Sequence, residues 1–200
     1  MKIDNYPEKD GYQISLSDHE REVLLNDLCC TSDEHAWILA SYCGLRRKEI
    51  EAVEFRDIFQ RETGEWFVRV YEDFAKRDQF RETPIPERFA YKIKATVEAN
   101  DDLDEDDEVV FEHSMRTVSR HLKKTVREFA EEDERDRMWE YVRLHDGRRT
   151  FANRMLDSEV EPLQVMEWGK WRDWRTFRDH YMQDFSEKHQ SEQLAKVDGY

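Results

Sequence analysis

Residues 144–151 have the sequence Leu-His-Asp-Gly-Arg-Arg-Thr-Phe, and the interpretation of the whole chain depends on them. If they begin a helix, His145 and Arg148 are three positions apart and share one face. A side chain that carries protons near neutral pH then stands beside a permanent cation, which suits chemistry at a phosphoryl group. A helix cap followed by exposed arginines would give the same pattern, so this stretch alone leaves both interpretations open.

An earlier stretch, Gly-Leu-Arg-Arg-Lys-Glu at residues 44–49, places another arginine at a predicted helix start. We expect Gly44 to end one helix and Arg46 to open the next, where backbone N–H groups and the helix dipole favour an anion. A guanidinium at that position can bind a phosphate through two parallel hydrogen bonds. We expect Glu49, one turn later, to fix Arg46 by an i,i+3 contact. The alternative is an ordinary surface Arg–Glu pair.

Two more residues have chemistry that a phosphate site would use. Lys76 lies in the polar connection between two predicted strands, from which a lysine can reach across a cleft as a point charge or a proton donor. Tyr181 lies on the last major helical segment, and a phenol becomes a good nucleophile only where cations stabilise its anion. Taken singly, these two positions are better explained by a solvated loop lysine and an ordinary half-buried aromatic residue.

The composition indicates a folded intracellular protein. Of 200 residues 40% are charged, yet the chain also has 11 Phe, 8 Tyr and 6 Trp, which a disordered chain lacks. The longest apolar run is far shorter than the ~20 residues that span a bilayer. The first ten residues, MKIDNYPEKD, lack the apolar segment of a signal peptide. We therefore predict a cytoplasmic protein.

Cysteine usage agrees with a reducing compartment. The adjacent pair Cys29–Cys30 lacks the C-x-x-C spacing of zinc and thioredoxin-like sites, and with Cys43 it is too clustered for a disulfide framework. We expect all three to be reduced, small apolar residues.

The formal net charge of −15 bears on possible partners. Under ordinary salt such a charge repels nucleic acid. Acidic residues are spread along the whole chain, which favours adaptation to molar intracellular salt, where the Debye length is only ~3 Å. The net charge therefore does not exclude DNA as a partner.

The order of helical and strand patterns predicts one α+β, mostly α-helical domain around a small antiparallel sheet. A capping box at Ser17–Glu20 precedes the first helix. Strands are expected at 66–71 and 80–85, with Pro84 indicating either an edge strand or the end of a strand. Residues 1–14 are interpreted as a polar N-terminal lead-in, and the acidic residues 101–108 predict a solvated loop. Further helices are expected from Ser32 to near Gly44, at 47–53, from Pro86 through Val97, and at 115–131, 146–156, 161–168, 175–185 and 187–197.

In this order, these stretches resemble the catalytic domain of the tyrosine recombinases, the phage integrase family. The resemblance covers about residues 15–185 and includes the spacing from Arg148 to Tyr181. Residues 44–49 resemble the first arginine box of the family, and residues 145–152 resemble its H-x-x-R box. Residues 55–58 resemble the continuation of the first box. Residues 68–71, Lys76 and residues 81–86 resemble the β-hairpin of the family, with Lys76 at the position of its catalytic lysine. Residues 163–169 resemble the helix and glycine that precede the His-or-Trp position.

The resemblance implies a site-specific DNA recombinase that cuts and rejoins strands through a covalent 3′-phosphotyrosine, without a metal or other cofactor. A non-catalytic DNA-binding or regulatory relative of the same fold is the alternative. The catalytic residues that it implies are Arg46, Lys76, His145, Arg148, Trp171 and Tyr181.

The sequence departs from the family pattern in three ways. After Gly169 it has Lys170, with Trp171 one place later, so either residue could fill the His-or-Trp position. Gly147 stands where an apolar residue is usual, which would weaken the helix by up to ~1 kcal/mol. Third, the chain reads as a single catalytic domain over 1–200, with a C-terminal helix or tail at 187–200 and no N-terminal core-binding domain.

The implied partner is a double-stranded DNA recombination site, on which a homo-oligomer, a tetramer in synapsis, would assemble. An accessory DNA-binding subunit is a further possible partner. Basic residues at near i,i+4 spacing on the 115–131 helix are expected to contact DNA, with a solvated helix face as the alternative. The candidate DNA-binding residues are Arg81, Arg116, Arg120, Lys123, Lys124, Arg127 and Lys170.

Overall fold

The computed structural model describes residues 1–5, 12–71, 80–132, 134–181, 194, 195 and 197. These form two compact units, residues 1–170 and residues 171–200. Among them, no helix is both long and apolar enough to cross a membrane.

The first unit is α+β and mostly helical, which confirms the predicted fold class. Its strands are β1 (Lys2–Asn5), β2 (Tyr12–Ser15), β3 (Ile58–Gln60), β4 (Trp66–Val70) and β5 (Arg81–Pro84). Its helices are α1 (Asp18–Asn26), α2 (Thr31–Ser41), α3 (Arg47–Ile50), α4 (Glu87–Glu98), α5 (Met115–Glu132), α6 (Leu144–Asp157) and α7 (Pro162–Gly169). Two 3-10 helices lie at Phe55–Asp57 and Glu134–Tyr141.

The second unit contains α8 (Trp174–Tyr181). The predicted helix at 175–185 is thus confirmed over its described part. The predicted helix or tail at 187–200 lies outside the described residues except for Leu194, Ala195 and Val197.

The N-terminal lead-in contains a pair of short strands that the sequence analysis did not predict. β1 and β2 pair antiparallel with Ile3 opposite Ile14, and Ile14 is fully buried. The Ile14 N–H donates to Asp146 Oδ1 at 3.2 Å, and the Leu16 N–H donates to Thr150 Oγ1 at 3.0 Å. The hairpin escaped prediction because its strands are short and polar, and contacts with α6 hold it in place.

The central helix α2 is buried almost all round, as expected for a helix in the middle of a core. Trp37, Ile38 and Leu39 on it are buried, and α6 packs against it. Gly147 permits the close approach: a Cβ built there would lie 2.9 Å from Ala40 Cβ and 3.2 Å from backbone atoms of Ala40 and Ser41. The close packing of α6 against α2 therefore requires glycine at position 147, although glycine is a weak helix former.

The second sheet has the order β3-β4-β5, with all pairs antiparallel. β5 lies at the edge of this sheet, and Pro84, opposite Phe67 on β4, is its last residue, so both alternatives for the proline are confirmed. The sequence analysis predicts β4 and β5 but not β3, which has only three residues. This sheet brings Arg81 beneath the start of α3.

Candidate functional site

Arg46 immediately precedes α3, where the helix begins after the turn at Gly44. Its N–H donates to Glu49 Oε2 at 2.6 Å, and its guanidinium donates to Glu49 Oε1 at 2.8 Å. The predicted i,i+3 contact is therefore present. The Arg46 side chain is 26% exposed, so it is held in place while one face remains accessible.

Arg81 on β5 forms an ion pair with Glu49. Its guanidinium donates to Glu49 Oε1 at 3.0 Å and to Oε2 at 2.6 Å, and the two side chains are 1% and 0% exposed. Burial raises the pKa of Glu49, but the hydrogen bonds and charges of Arg81 and Arg46 outweigh it and lower the pKa to about 2. Arg81 is buried and its guanidinium is engaged with Glu49, and its predicted contact with DNA stays a prediction. The sequence analysis missed this pair because β5 brings Arg81 to Glu49 from a distant part of the chain.

Arg148 lies in the first half of α6 and is 2% exposed. Its guanidinium donates to the carbonyl oxygen of Gly44 and, at 2.5 Å, to that of Gly169. Gly44 has φ +70, and a Cβ built on it would lie 2.5 Å from the Phe151 ring, so both its conformation and its packing require glycine. Arg148 therefore connects the turn after α2 with the end of α7.

The two arginines meet at the C-terminal end of α7. Arg148 binds the carbonyl oxygen of Gly169, and Arg46 donates to that of Lys170 at 3.3 Å. A helix C-terminus carries partial negative charge, so it attracts both guanidinium groups. The fold thus places two permanent cations, from α6 and from the start of α3, on consecutive carbonyl groups.

Lys170 ends α7 in the left-handed conformation, with φ 50. Its Nζ forms an ion pair with Glu167, one turn earlier. The backbone carbonyl of Lys170 therefore accepts a hydrogen bond from Arg46, while its ammonium group is paired with the Glu167 carboxylate. Its predicted contact with DNA stays a prediction.

His145, three residues before Arg148, is exposed and lines a cavity of about 340 Å³. Three cationic side chains line the same cavity: Arg47 on α3, Lys123 on α5 and Arg143 just before α6. Glu140 is the acidic side chain in its lining. Such a cavity favours an anion. The sequence analysis includes His145 and Lys123 among its candidates but misses Arg47 and Arg143, whose approach depends on tertiary packing.

Asp146 is a buried carboxyl group that the sequence analysis did not single out. It accepts hydrogen bonds from the Ile14 N–H and, at 2.9 Å, from the Arg143 N–H. Burial nevertheless raises its pKa to about 6, against the lowering effect of those two bonds. Asp146 fixes the start of α6, and with it His145, to the N-terminal hairpin.

The basic residues predicted to contact DNA from α5 are all exposed, whereas Met115, Val118, Leu122 and Val126 face the core. Lys124 forms an ion pair with Glu128 at 3.5 Å on this surface. The exposed basic residues are Arg116, Arg120, Lys123, Lys124 and Arg127. Their exposure is compatible with DNA binding and with a solvated helix face alike.

The second unit holds the predicted nucleophile among aromatic rings. Tyr181 contacts Trp171 edge-on, with ring centroids 5.4 Å apart, and contacts Phe177 with centroids 5.0 Å apart. Trp171 and Phe177 also contact each other, at 5.3 Å. Trp171 and Tyr181, both predicted site residues, are therefore neighbours. Lys76 lies outside the described residues, so its catalytic role stays a prediction.

Solved structures of similar fold are tyrosine recombinases. The XerA recombinase matches with a TM-score of 0.67 at 15% identity, over 94% of this chain and 66% of its own. The Tn1549 transposon integrase, in complex with circular intermediate DNA, matches with a TM-score of 0.64 at 11% identity, over 92% of this chain and 67% of its own. The XerH site-specific recombinase, bound to palindromic difH substrate, matches with a TM-score of 0.64 at 14% identity, over 92% of this chain and 53% of its own.

This chain therefore spans about two thirds of the XerA chain and about half of the XerH chain. No curated protein sequence matches it significantly. The model of the phage integrase family matches residues 16–188, which is most of the sequence. The chain therefore belongs to the phage integrase family.

Proposed function

We propose that this chain is the catalytic domain of a site-specific DNA recombinase that cuts and rejoins strands through a covalent 3′-phosphotyrosine. The observation that carries the proposal is the pair Arg46 and Arg148, bound to the consecutive carbonyl groups of Lys170 and Gly169. Two guanidinium groups fixed in this way are preorganised to stabilise charge on the non-bridging oxygens of a phosphate, which is usually the largest catalytic contribution.

Tyr181 is the proposed nucleophile. Its Oη attacks the phosphorus, a tyrosyl P–O bond forms, and the bond from phosphorus to the 5′ oxygen breaks. His145 assists proton movement at the tyrosine or orients the phosphate, and Lys76 protonates the departing 5′ oxygen as a general acid. Rejoining reverses these steps with the 5′ hydroxyl of another strand. The balance of atoms is complete without a metal ion or an external energy source.

The proposed partner is double-stranded DNA in the cytoplasm. The exposed basic face of α5 and the cationic cavity beside His145 both support a phosphate backbone as the ligand, because phosphate contacts supply most of the affinity for DNA. We propose a homo-oligomer on the DNA, with an accessory DNA-binding subunit as a further partner.

A non-catalytic DNA-binding relative is the second candidate, and Lys170 is the observation that favours it. At the position after the glycine, where the family pattern has His or Trp, the ammonium group of Lys170 is paired with Glu167. A donor that is engaged in this way contributes less to bracing a phosphate. If Trp171 fills the position instead, this objection disappears.

A covalent-trapping assay in high KCl separates the two candidates. Nicked DNA from the flanks of the gene is incubated with the native chain, with Tyr181→Phe and with the control Tyr91→Phe, whose phenol is exposed on α4. For a recombinase we expect a denaturation-resistant protein–DNA band with the native chain and with Tyr91→Phe, and none with Tyr181→Phe.

DNA binding without any covalent band, on DNA shown to carry the binding site, would favour the regulatory relative. A band that persists in Tyr181→Phe would contradict the assignment of the nucleophile. Replacing Trp171 by Phe and Lys170 by Met in the same assay then tells which residue fills the His-or-Trp position.

A further inference from the structure

Four side chains with metal-binding atoms converge between the start of α2 and the middle of α5. Cys29 and Cys30 immediately precede α2, Asp33 lies in its first turn, and His121 lies on α5. One ligand atom from each lies within 4.8 Å of all the others. All four belong to the first unit, and Cys29, Cys30 and Cys43 are free thiols.

Three of the four donor atoms already have nearly the separations of a tetrahedral zinc site, and the Cys30 Sγ lies within 4.8 Å of each of them. Asp33 Oδ2 lies 2.8 Å from His121 Nδ1 and 3.1 Å from Cys29 Sγ, which is 3.4 Å from His121 Nδ1. With Zn–S bonds of about 2.3 Å and Zn–N or Zn–O bonds of about 2.0 Å, tetrahedral ligand atoms are about 3.3–3.8 Å apart. An outward shift of a few tenths of an ångström would bring these three atoms to the separations that the ion requires.

Asp33 gives an independent indication of a cation. Its side chain is 1% exposed, and its Oδ1 has no hydrogen-bond partner among the described residues. A buried carboxylate is costly unless it is paired or coordinates a metal. His121 supplies positive charge only when it is protonated, whereas a divalent ion would neutralise Asp33 without protonation of the imidazole.

Neighbouring contacts hold the cluster in position. The Ser32 N–H donates to Glu112 Oε2 at 2.9 Å, and the Glu112 N–H donates to Ser32 Oγ at 2.9 Å. These reciprocal bonds fasten the segment before α5 to the start of α2. The ring of His113 lies edge-on to that of His121, with centroids 5.1 Å apart. The Ser32–Glu112 bonds therefore fix the two ligand-bearing segments relative to each other, and His113 packs against the ring of His121.

We propose that Cys29, Cys30, Asp33 and His121 bind one zinc ion that links α2 to α5. Four protein ligands fill a tetrahedral shell and leave no open position, so the ion is structural. It lies at the N-terminal end of α2, whereas Gly44 and Arg46 follow the C-terminal end, and a helix of 11 residues is about 16 Å long. The inference is therefore independent of the proposed recombination chemistry. The spacing Cys-Cys-x-x-Asp escapes a search for C-x-x-C motifs, because His121 completes the set from another helix.

Cobalt(II) is the probe for this site, because it occupies zinc sites and reports tetrahedral thiolate ligation in its absorption spectrum. The full chain is reduced, freed of metal and titrated with Co²⁺. We expect saturation at one equivalent, visible bands of tetrahedral intensity, near-ultraviolet thiolate-to-cobalt charge transfer, and bleaching of all of these by one equivalent of Zn²⁺. Zinc is also expected to raise the melting temperature of the metal-free chain.

Cys29→Ser and His121→Gln are the test variants, because both residues are partly exposed and their replacement spares the core. Each is expected to weaken zinc binding by more than the roughly 10–100-fold that loss of an outer partner costs. His113→Gln is the matched control, and it should retain stoichiometric binding. Circular dichroism establishes that every variant is folded.

Absence of stoichiometric Co²⁺ and Zn²⁺ binding by the reduced, folded chain would overturn the proposal. So would unchanged affinity in both Cys29→Ser and His121→Gln. Loss of binding in His113→Gln, with retention in His121→Gln, would contradict the ligand set.

Discussion

Glu49 and Arg81 form a buried, two-point ion pair that connects α3 to the edge strand β5. Both hydrogen bonds are 3.0 Å or shorter, and neither side chain is more than 1% exposed. The same carboxylate accepts the backbone N–H and the guanidinium of Arg46. One buried acid therefore fixes an arginine of the candidate phosphate site to the sheet below it.

Breaking this pair from one side should be strongly destabilising. Arg81→Met leaves the Glu49 carboxylate buried without its main cation, and we expect it to lower the free energy of unfolding by about 3–5 kcal/mol. Glu49→Met should have a similar effect. The double variant should lose clearly less than the sum, because it leaves no uncompensated charge from the pair. Urea unfolding of the four proteins measures the coupling, and strictly additive losses would contradict the pairing.

Replacement of either central arginine by lysine should reduce strand cleavage far more than DNA binding. The ammonium group of lysine is a compact point charge and lacks the planar fork with which Arg148 binds two carbonyl oxygens. For Arg46→Lys and Arg148→Lys we expect the rate of covalent complex formation to fall on the order of 10²–10³-fold. Single-turnover assays on nicked DNA measure the rate, with Arg88→Lys, at an exposed position on α4 outside the proposed site, as the control. A comparable fall in that control would show that the loss is not specific to the two central arginines.

Asp146 should make the protein less stable as the pH rises from about 4 to about 6. Burial raises its pKa to about 6 in the folded state, from an ordinary value of 3.8. Between these values the folded state holds a proton that the unfolded state has lost, so stability falls with rising pH. Asp146→Asn should remove this part of the slope. Glu49 acts at lower pH, because its lowered pKa makes stability fall only as the pH drops from about 4.5 towards about 2.

Unfolding free energies of the native chain and Asp146→Asn between pH 4 and pH 7 measure the difference. Parallel curves would show that the carboxyl of Asp146 has the same pKa in the folded and unfolded states. Glu20→Gln is a useful comparison, because the pKa of Glu20 is lowered in the folded state and its contribution has the opposite sign.

Gly147→Ala should destabilise the protein, although alanine is the better helix former by ~1 kcal/mol. The added methyl group would lie 2.9 Å from Ala40 Cβ and 3.2 Å from the backbone of α2, which cannot move aside cheaply. Overpacking of this kind costs about 1–3 kcal/mol. Ala40→Gly removes the nearest atom and should recover part of the loss when it is combined with Gly147→Ala. A more stable Gly147→Ala would show that α6 can move away from α2.

The sequence predicts features that depend on neighbours in the chain. The capping box of Ser17 and Glu20 is present, with reciprocal bonds at 2.8 and 3.4 Å, and the contact of Arg46 with Glu49 is also local. The edge position of Pro84 follows from its missing N–H. Local rules of this kind predict most of the helices and the fold class, although they leave helix ends uncertain by a few residues.

Features that depend on distant residues could not be predicted in this way. Nothing near Arg81 in the sequence indicates that β5 brings it to Glu49. Nothing near Cys29 indicates that α5 brings His121 beside it. The expectation of small apolar cysteines holds for the buried Cys43 but is wrong for the exposed Cys29. Likewise, Gly147 reads as a weak helix position because Ala40 is remote in sequence.

Potassium chloride should stabilise this protein. The chain has 47 acidic and 32 basic residues. Folding brings the excess negative charges closer together, and their repulsion destabilises the folded state. At about 1 M salt the Debye length is ~3 Å, so repulsion between exposed carboxylates is largely screened. We expect the melting temperature to rise steadily as KCl is increased from 0.1 M towards about 3 M. This rise should be larger than the rise that a neutral osmolyte causes at the same osmolality. Unfolding above about 1 M KCl would contradict adaptation to molar salt, and a flat response would show that repulsion between exposed carboxylates contributes little to stability.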